Sequence, residues 1–559
     1  MKLKSIIDTD LGICGNYFTS THPQINTNRE LFKKQILPFL KRAFRDLATI
    51  DSITISKNKI TYRQENQDKE LKSIVADIFR RRIFRTTSLD TFTLTHDAVG
   101  ETIHTVAESL HMPKLYTDSS GGGGHKAAKN AIIDKDIANL LSKIQKVVPT
   151  ADDRLTSTEK LKNWCREAGL IQEKDLFHDY LGPLGKWSSN QWDNAQKAGN
   201  IRKLEFLFSI KWFSELILGP LIFLMTLHNL RTMKPKELVC TTAVCIPGML
   251  LAVAVYNILF KPKGEKDLHL NLYMTDMPTR YASHFFKAIR SLWESGGKKN
   301  LILHSPRPKN DDTWEILCKL PDNQIHILET NELPVRPAFL KAVTDYHKKT
   351  GHSAVKIKIS CEEEKKHLKK TLEAQKASTD FIDQIDNKVV QHPINPEDKN
   401  VFLMLGSQPT EQAVKDYVDR FMALAIASPK EKFRLFAFAG KYEEGKECFY
   451  KTLCSYIQSK KAHWPTNLEA IPLSFQDPDQ LVSLMLECDL VSRSGGITTY
   501  ELLVLDQANK DAKKRRFIHA DRVEGRSLEN SMVQWEKGNY LFLHDTIQAS
   551  LTNPQEFLI

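Results

Sequence analysis

The stretch TDSSGGGGHKAAKNAI, residues 117–132, sets Gly121, Gly122, Gly123 and Gly124 directly before a run of good helix formers. Glycine lets a backbone approach a ligand closely and reach positive φ. A helix opening just after such a turn points unpaired N–H groups and the positive end of its dipole back at the turn, where an anion fits. Apolar PKLYTDSS leads in as a strand, and Ala127, Ala128, Ala131 and Ile132 mark one face of the helix leading out. GGGGHKAA lacks the GK[ST] ending of a Walker A loop, and His125 or Lys126 stands where GxGxxG would need a glycine. A plain flexible turn would explain these glycines, but not their recurrence beside an arginine and a glutamate elsewhere in the chain.

That second turn lies far along the sequence, in CDLVSRSGGITTYELL. An apolar strand enters, Arg493 and Ser494 precede Gly495 and Gly496, and an amphipathic helix leaves through Thr498 and Glu501. Backbone N–H groups and Arg493 suit a diphosphate. Glu501, two turns into the helix, can accept hydrogen bonds from two adjacent ribose hydroxyls.

Strand and helix signals alternate on both sides of these turns. ELVCTTAV, LHLNLYMTD, NLILHS and QIHILET come after the first, and NVFLMLGSQ, FRLFAFAGK and LEAIPLSFQ precede the second. Such alternation predicts parallel sheets with helices on both faces. The fold class is therefore α/β with two Rossmann-like domains facing across a cleft, preceded by an α+β region. The expected boundaries are 1–110 for that region, 111–345 for the first Rossmann-like domain, 346–400 for a charged helix and linker, and 401–559 for the second. A length of 559 residues accommodates them, since domains run to about 100–200 residues. Within 1–110, LFKKQILPFLKRAFRDL and KSIVADIFRRRIF read as helices and SITISKNKITYR as a hairpin. No chemistry is assignable there.

Hydrophobic content of 41% and charged content of 26% exclude a wholly disordered chain. The net charge of +11 suits an anionic partner, a nucleotide or a membrane face, or simply a lysine-rich surface. Nine cysteines, none in a CxxC pair, indicate a reducing compartment without structural zinc. Asp-x-Asp occurs at 8–10, 134–136 and 477–479; the last is expected to cap the helix after it.

Leu238–Phe260 carries no charge, and as one helix would run about 34 Å, enough to span a bilayer. Pro247-Gly248 interrupts it, so a strand followed by a crossover helix is the reading preferred. Leu216–Leu230 is a second apolar run, broken by Gly219-Pro220. With Lys203, Lys211, Arg231, Lys234, Lys236, Lys261 and Lys263 around them, the two runs suit the face of a peripheral protein on an anionic membrane. An integral span through 205–260 is the alternative, and a cytoplasmic location is expected.

The two glycine turns together resemble the GT-B nucleotide-sugar glycosyltransferases of the monogalactosyldiacylglycerol synthase and MurG type. These share an early GGGH loop with alanines after it and a late RSG-x-x-T-x-x-E turn. LHLNLYMTDMP, LPVRPAF at 333–339, LMLGSQ and WEKGN at 535–539 are similar in order to further family stretches, and the resemblance covers about 110–545. It departs where CTTAVCIPG replaces a His-Pro stretch and where Glu536 replaces a glutamine. The insert 150–203 is either part of an acceptor pocket or a surface excursion.

The resemblance implies an inverting hexosyl transfer from a nucleoside diphosphate sugar to a hydroxyl. UDP-sugar is the leading donor and GDP-sugar the other, with no cofactor and no metal. Arg493, Ser494, Gly495, Gly496, Thr498, Glu501, Gly406, Ser407, Gln408, Glu536 and Asn539 would bind the donor, and Gly121–Gly124 would face phosphate or acceptor. Histidine titrates near neutrality, which makes His125 the first candidate for the base; Asp276, ending a strand, is the rival. A lipid or membrane-bound acceptor leads. A protein acceptor, as for a bacterial effector, and a non-catalytic scaffold binding nucleotide sugar or nucleic acid are the alternatives, though no nucleic acid is expected.

Overall fold

The structure is a computed structural model that describes residues 4–6, 18–20, 50–56, 59–65, 67–72, 76–80, 91–119, 123–148, 152–197, 203, 206, 211–242, 246–275, 297–306, 324–347, 354–384, 388–406, 409, 411–493, 497–508, 516–519 and 541–542. Internal contacts gather the chain into two units. One holds Met1–Leu115, Ile133–Glu173 and Met233–Glu237; the other holds Tyr116–Ile132, Lys174–Thr232 and Leu238–Ile559.

The first unit carries an antiparallel sheet. Its strands are β1 (Lys4–Ile6), β2 (Phe18–Ser20), β3 (Ser52–Ser56), β4 (Ile60–Gln64), β5 (Gln67–Glu70) and β6 (Thr91–His96), in the order β1-β2-β6-β3-β4-β5. The expected hairpin is β3 against β4, with Ile53 facing Tyr62 and Ile55 facing Ile60. Ile53, Ile55 and Ile60 are buried, as alternation on a one-sided sheet requires. The helix read at LFKKQILPFLKRAFRDL lies outside the described residues. Helix α1 (Ala98–Ser109) is capped by Asp97, which accepts from the Gly100 N–H at 2.9 Å. A Cβ on Gly100 would stand 2.4 Å from the same carboxylate, so the cap needs glycine there. Arg154 holds Asp97 through both guanidinium nitrogens, at 2.5 and 2.8 Å.

The next sheet is built from β7 (Lys114–Asp118), helix α2 (Gly123–Ile144), helix α3 (Thr158–Glu167), β8 (Ile171–Asp175), helices α4 (Gly182–Lys197) and α5 (Lys211–Met233), β9 (Glu237–Cys240), helix α6 (Ile246–Leu259), β10 (Leu270–Tyr273), β11 (Leu301–Ser305) and β12 (Ile325–Ile327). The strand order is β12-β11-β10-β9-β7-β8, and the pairs from β9 to β12 are parallel. The insert 150–203 thus supplies an edge strand, β8, to this sheet. The long apolar run is a strand and then a helix. Pro247 sits in the first turn of α6, where its missing N–H costs nothing. The shorter run is continuous through Pro220 as α5. Among the described residues no helix is long and apolar enough to cross a membrane.

Helix α7 (Pro337–His347), β13 (Ala354–Lys358), helix α8 (Glu362–Ala374) and β14 (Val389–Pro393) come next. The stretch read as helix and linker contains α8 as expected. It also contains β14, which pairs antiparallel with β13. The last sheet comprises β15 (Lys399–Met404), helix α9 (Glu411–Ala427), β16 (Phe433–Phe438), helix α10 (Phe449–Ser459), β17 (Leu468–Leu473), helix α11 (Pro478–Glu487), β18 (Asp489–Arg493), helix α12 (Ile497–Ala508), β19 (Arg516–His519) and β20 (Leu541–Phe542). Its order is β17-β16-β15-β18-β19-β20, all parallel, which is the doubly wound 3-2-1-4-5-6 arrangement. Its apolar strands pack against α9 and α10 on one face and α11 and α12 on the other. Asp477 stands at the N-cap of α11 but makes no side-chain cap bond; its carboxylate pairs with Lys358 at 2.9 Å instead.

Candidate functional site

Ligands of open α/β sheets bind beyond the carboxyl ends of the strands, where the strand order reverses. In the last sheet that point lies between β15 and β18. β15 runs into Leu405-Gly406, with Gly406 at φ +84°, a left-handed conformation that favours glycine. β18 ends at Arg493, and α12 opens at Ile497. In the earlier sheet the reversal lies between β7 and β9. β7 ends at Asp118, before the four glycines, and Gly123 is the first residue of α2. The strand ends and helix starts that flank both predicted turns therefore lie at reversal points.

The two helix starts meet. A Cβ built on Gly124 would stand 3.8 Å from Cγ1 of Ile497, an ordinary van der Waals contact. Buried Tyr500 donates its hydroxyl to the Met274 carbonyl, just beyond β10, at 3.1 Å. Neither α2 nor α12 has an acidic residue in its first turn, which favours an anion at the positive ends of their dipoles.

His125 lies in the first turn of α2. Its Nδ1 is 2.6 Å from the Thr241 carbonyl and 2.9 Å from Thr275 Oγ1. A carbonyl only accepts, so Nδ1 carries a ring proton, and a neutral ring in this orientation has its lone pair on Nε2. Thr241 also donates its hydroxyl to the His125 carbonyl at 2.9 Å and its N–H to the Thr117 carbonyl at 3.1 Å. Ser119 and Thr242 share a hydroxyl bond of 2.8 Å beside it. CTTAVCIPG thus supplies the threonine whose backbone orients His125.

Below the glycine turn, Lys129 of α2 reaches back to Asp118 at 3.1 Å, and both side chains are buried. Burial pushes the Asp118 carboxyl up, and Lys129 draws it part of the way back.

Glu501, in the second turn of α12, is 5% exposed. Arg336 donates to its Oε1 at 3.1 Å. Burial pushes the Glu501 carboxyl up, and the guanidinium opposes this. Thr498 lies partly buried in the first turn of the same helix. The structure thus draws together His125, Gly124, Thr498 and Glu501, with Gly406 at the neighbouring strand end. Gly121, Gly122, Asp276, Ser407, Gln408, Ser494, Gly495, Gly496, Glu536 and Asn539 lie outside the described residues. Arg336 sits within LPVRPAF, but nothing in that stretch announces its carboxylate partner. Thr241, Thr275 and the Asp118–Lys129 pair likewise carry no local signal of what they touch.

No family model matches the chain, and no curated protein matches it. Among solved structures, Acinetobacter baumannii MurG is similar at 11% identity, covering 79% of this chain and 91% of that one, with a TM-score of 0.36. UDP-GlcNAc 2-epimerase from Neisseria meningitidis bound to UDP-GlcNAc is similar at 12% identity, over 79% of this chain and 92% of that one, with a TM-score of 0.33. Spinosyn rhamnosyltransferase SpnG complexed with thymidine diphosphate is similar at 9% identity, over 79% of this chain and 89% of that one, with a TM-score of 0.34.

Proposed function

We propose that the chain is a glycosyltransferase that moves a sugar from a nucleoside diphosphate sugar to a hydroxyl. The observation that carries this reading is the meeting of two helix N-termini with no acid in their first turns, one bearing His125 and the other followed one turn on by Glu501. The diphosphate takes backbone N–H bonds and dipole stabilisation at that junction, with Arg493 offsetting leaving-group charge. Glu501 accepts the ribose diol, and the Gly406 turn borders the donor. The acceptor hydroxyl loses its proton to Nε2 of His125 as its oxygen attacks the anomeric carbon. The bond from that carbon to the diphosphate oxygen breaks, and the nucleoside diphosphate leaves with inversion. UDP-sugar is the donor proposed first.

A lipid or membrane-bound acceptor is favoured by α5 and α6. Gly219 of α5 backs onto Gly248 of α6, and Arg231 lies 4.5 Å over the Phe260 ring, so the two helices run side by side in one direction. Leu221 and Leu224 on α5 and Leu251, Ile258 and Leu259 on α6 are exposed, Ile258 by 78%. Arg231, Lys263 and Lys266 are exposed near their ends. Exposed apolar side chains with cations near their ends, interleaved there with Glu265 and Asp267, suit the surface of an anionic bilayer.

The test is a panel of UDP-galactose, UDP-glucose, UDP-N-acetylglucosamine and GDP-mannose, read first by thermal shift and then by transfer of labelled sugar. One donor is expected to raise the melting temperature and label the organic phase of a lipid extract. Label in precipitated protein would replace the lipid acceptor with a protein. Absence of both shift and label with every donor would remove the reading.

A further inference from the structure

The ion pair between Arg336 and Glu501 joins residues 165 positions apart and is not accounted for by donor contacts alone. The Arg336 backbone is firmly placed. Its carbonyl accepts the Phe339 and Leu340 N–H groups, so it caps α7. Just before it, Leu333 N–H donates to the Glu329 carbonyl and Val335 N–H to the Leu333 carbonyl. Leu333, Val335 and Phe339 are buried in the same core as Tyr500, Leu502 and Leu505 of α12. The base of the arginine and the helix carrying Glu501 are therefore fixed by one packed interior.

An ionised carboxylate with 6% of its side chain exposed is costly without a partner. A protonated one would offer an O–H where a ribose diol needs an acceptor. Arg336, 37% exposed, meets Oε1 at 3.1 Å. We propose that Arg336 is a positioning residue for nucleoside recognition: its guanidinium holds one oxygen of Glu501, keeps the carboxylate an acceptor and aims the other oxygen at the ribose hydroxyls. This rests on the proposed donor site and assigns Arg336 an action through Glu501 rather than on the phosphates.

The experiment compares UDP with 2′,3′-dideoxy-UDP by calorimetry on the full chain. The proteins are wild type, Arg336→Gln, Arg336→Lys and Glu501→Ala, each checked for an unchanged unfolding transition. Arg336→Gln is expected to lose about tenfold in UDP affinity, the scale of one charge-assisted bond, and less than about twofold for the dideoxy nucleotide. Arg336→Lys restores most of the ribose preference, because a single donor at Oε1 suffices. Equal losses for both nucleotides in Arg336→Gln would place the arginine on the phosphates and overturn the proposal. Loss of the ribose preference in Glu501→Ala but not in Arg336→Gln would overturn this proposal alone. Full UDP affinity in Glu501→Ala would remove the ribose role and this proposal with it.

Discussion

Among individual side chains, the orientation of His125 matters more than its presence in the sequence. The Thr241 carbonyl at 2.6 Å commits Nδ1 as donor, which makes Nε2 the nitrogen able to receive a proton. His125→Ala is expected to lower turnover by about 10²–10⁴-fold, the usual contribution of a general base, with UDP affinity unchanged. Single-turnover kinetics with calorimetry check this, and full activity would move the base elsewhere. Thr241→Ala removes the hydroxyl bond to the His125 carbonyl but keeps the backbone contact with Nδ1, so Thr275→Val is the informative neighbour for the ring. The Asp118–Lys129 pair gives a stability prediction. Lys129→Met leaves a buried carboxylate unpaired, a loss on the order of 3–5 kcal/mol. Burial already raises the Asp118 carboxyl in the folded state, and removing Lys129 raises it further. A raised acid is favoured in the folded state when protonated, so the deficit is largest above the folded pKa and shrinks as pH falls through it. The gap between the melting temperatures of the two proteins should narrow as pH falls; a constant gap would count against the assignment. That His125 and Glu501 lie on helices whose starts adjoin was partly legible, because each comes within a few residues of its own glycine stretch. Arg336 was not legible as a partner, because its carboxylate lies 165 residues away and only packing brings them together.

Among helices and strands, the junction of α5 and α6 shows why a glycine sits at position 248 of α6. A Cβ on Gly248 would stand 2.8 Å from the Gly219 carbonyl oxygen, closer than real contacts allow. Gly248→Ala must push the helices apart, at a cost of about 1–3 kcal/mol, read as a lower melting temperature. An unchanged transition would show that the helices are not held at this distance. On the outer side, Ile258→Asp with Leu259→Asp should reduce co-sedimentation with phosphatidylserine vesicles severalfold, and wild-type binding should fall with salt. Equal sedimentation of the two proteins would dissociate this surface from the bilayer. The break in the longer apolar run was readable from Pro247-Gly248, since that pair marks a boundary whatever the tertiary context. The continuity of α5 through Gly219-Pro220 was not, because the same kind of pair that marks a boundary in the longer run is carried inside a helix here. β14 was hidden in a proline-bounded charged stretch. It is held by β13, and β13 in turn is tied to α11 through Ser483 and to Gln476, partners well over a hundred residues away.

Across the full chain, function depends on the order of the strands in two sheets. Each Rossmann-like sheet reverses its order at one point, and the strand that precedes each glycine stretch ends beside that point. Alternating strands and helices in the sequence predicted two such sheets, but the order of strands within them depends on crossovers that local propensity does not encode. The extra antiparallel sheet near the N-terminus was legible only as its central hairpin, since β2 and β6 meet across long separations. The net charge of +11 suits a nucleotide and an anionic surface together, and it distinguishes neither. Donor binding does distinguish them, because it requires the two glycine-turn helices to act on one ligand. The decisive measurement is a calorimetric titration of UDP into the wild-type chain and into Glu501→Ala. One site is expected on the wild type and at least about a tenfold loss in the variant, since two bonds to a charged acceptor disappear. Equal affinity in the two proteins, with both folded, would contradict a donor site built on these two turns.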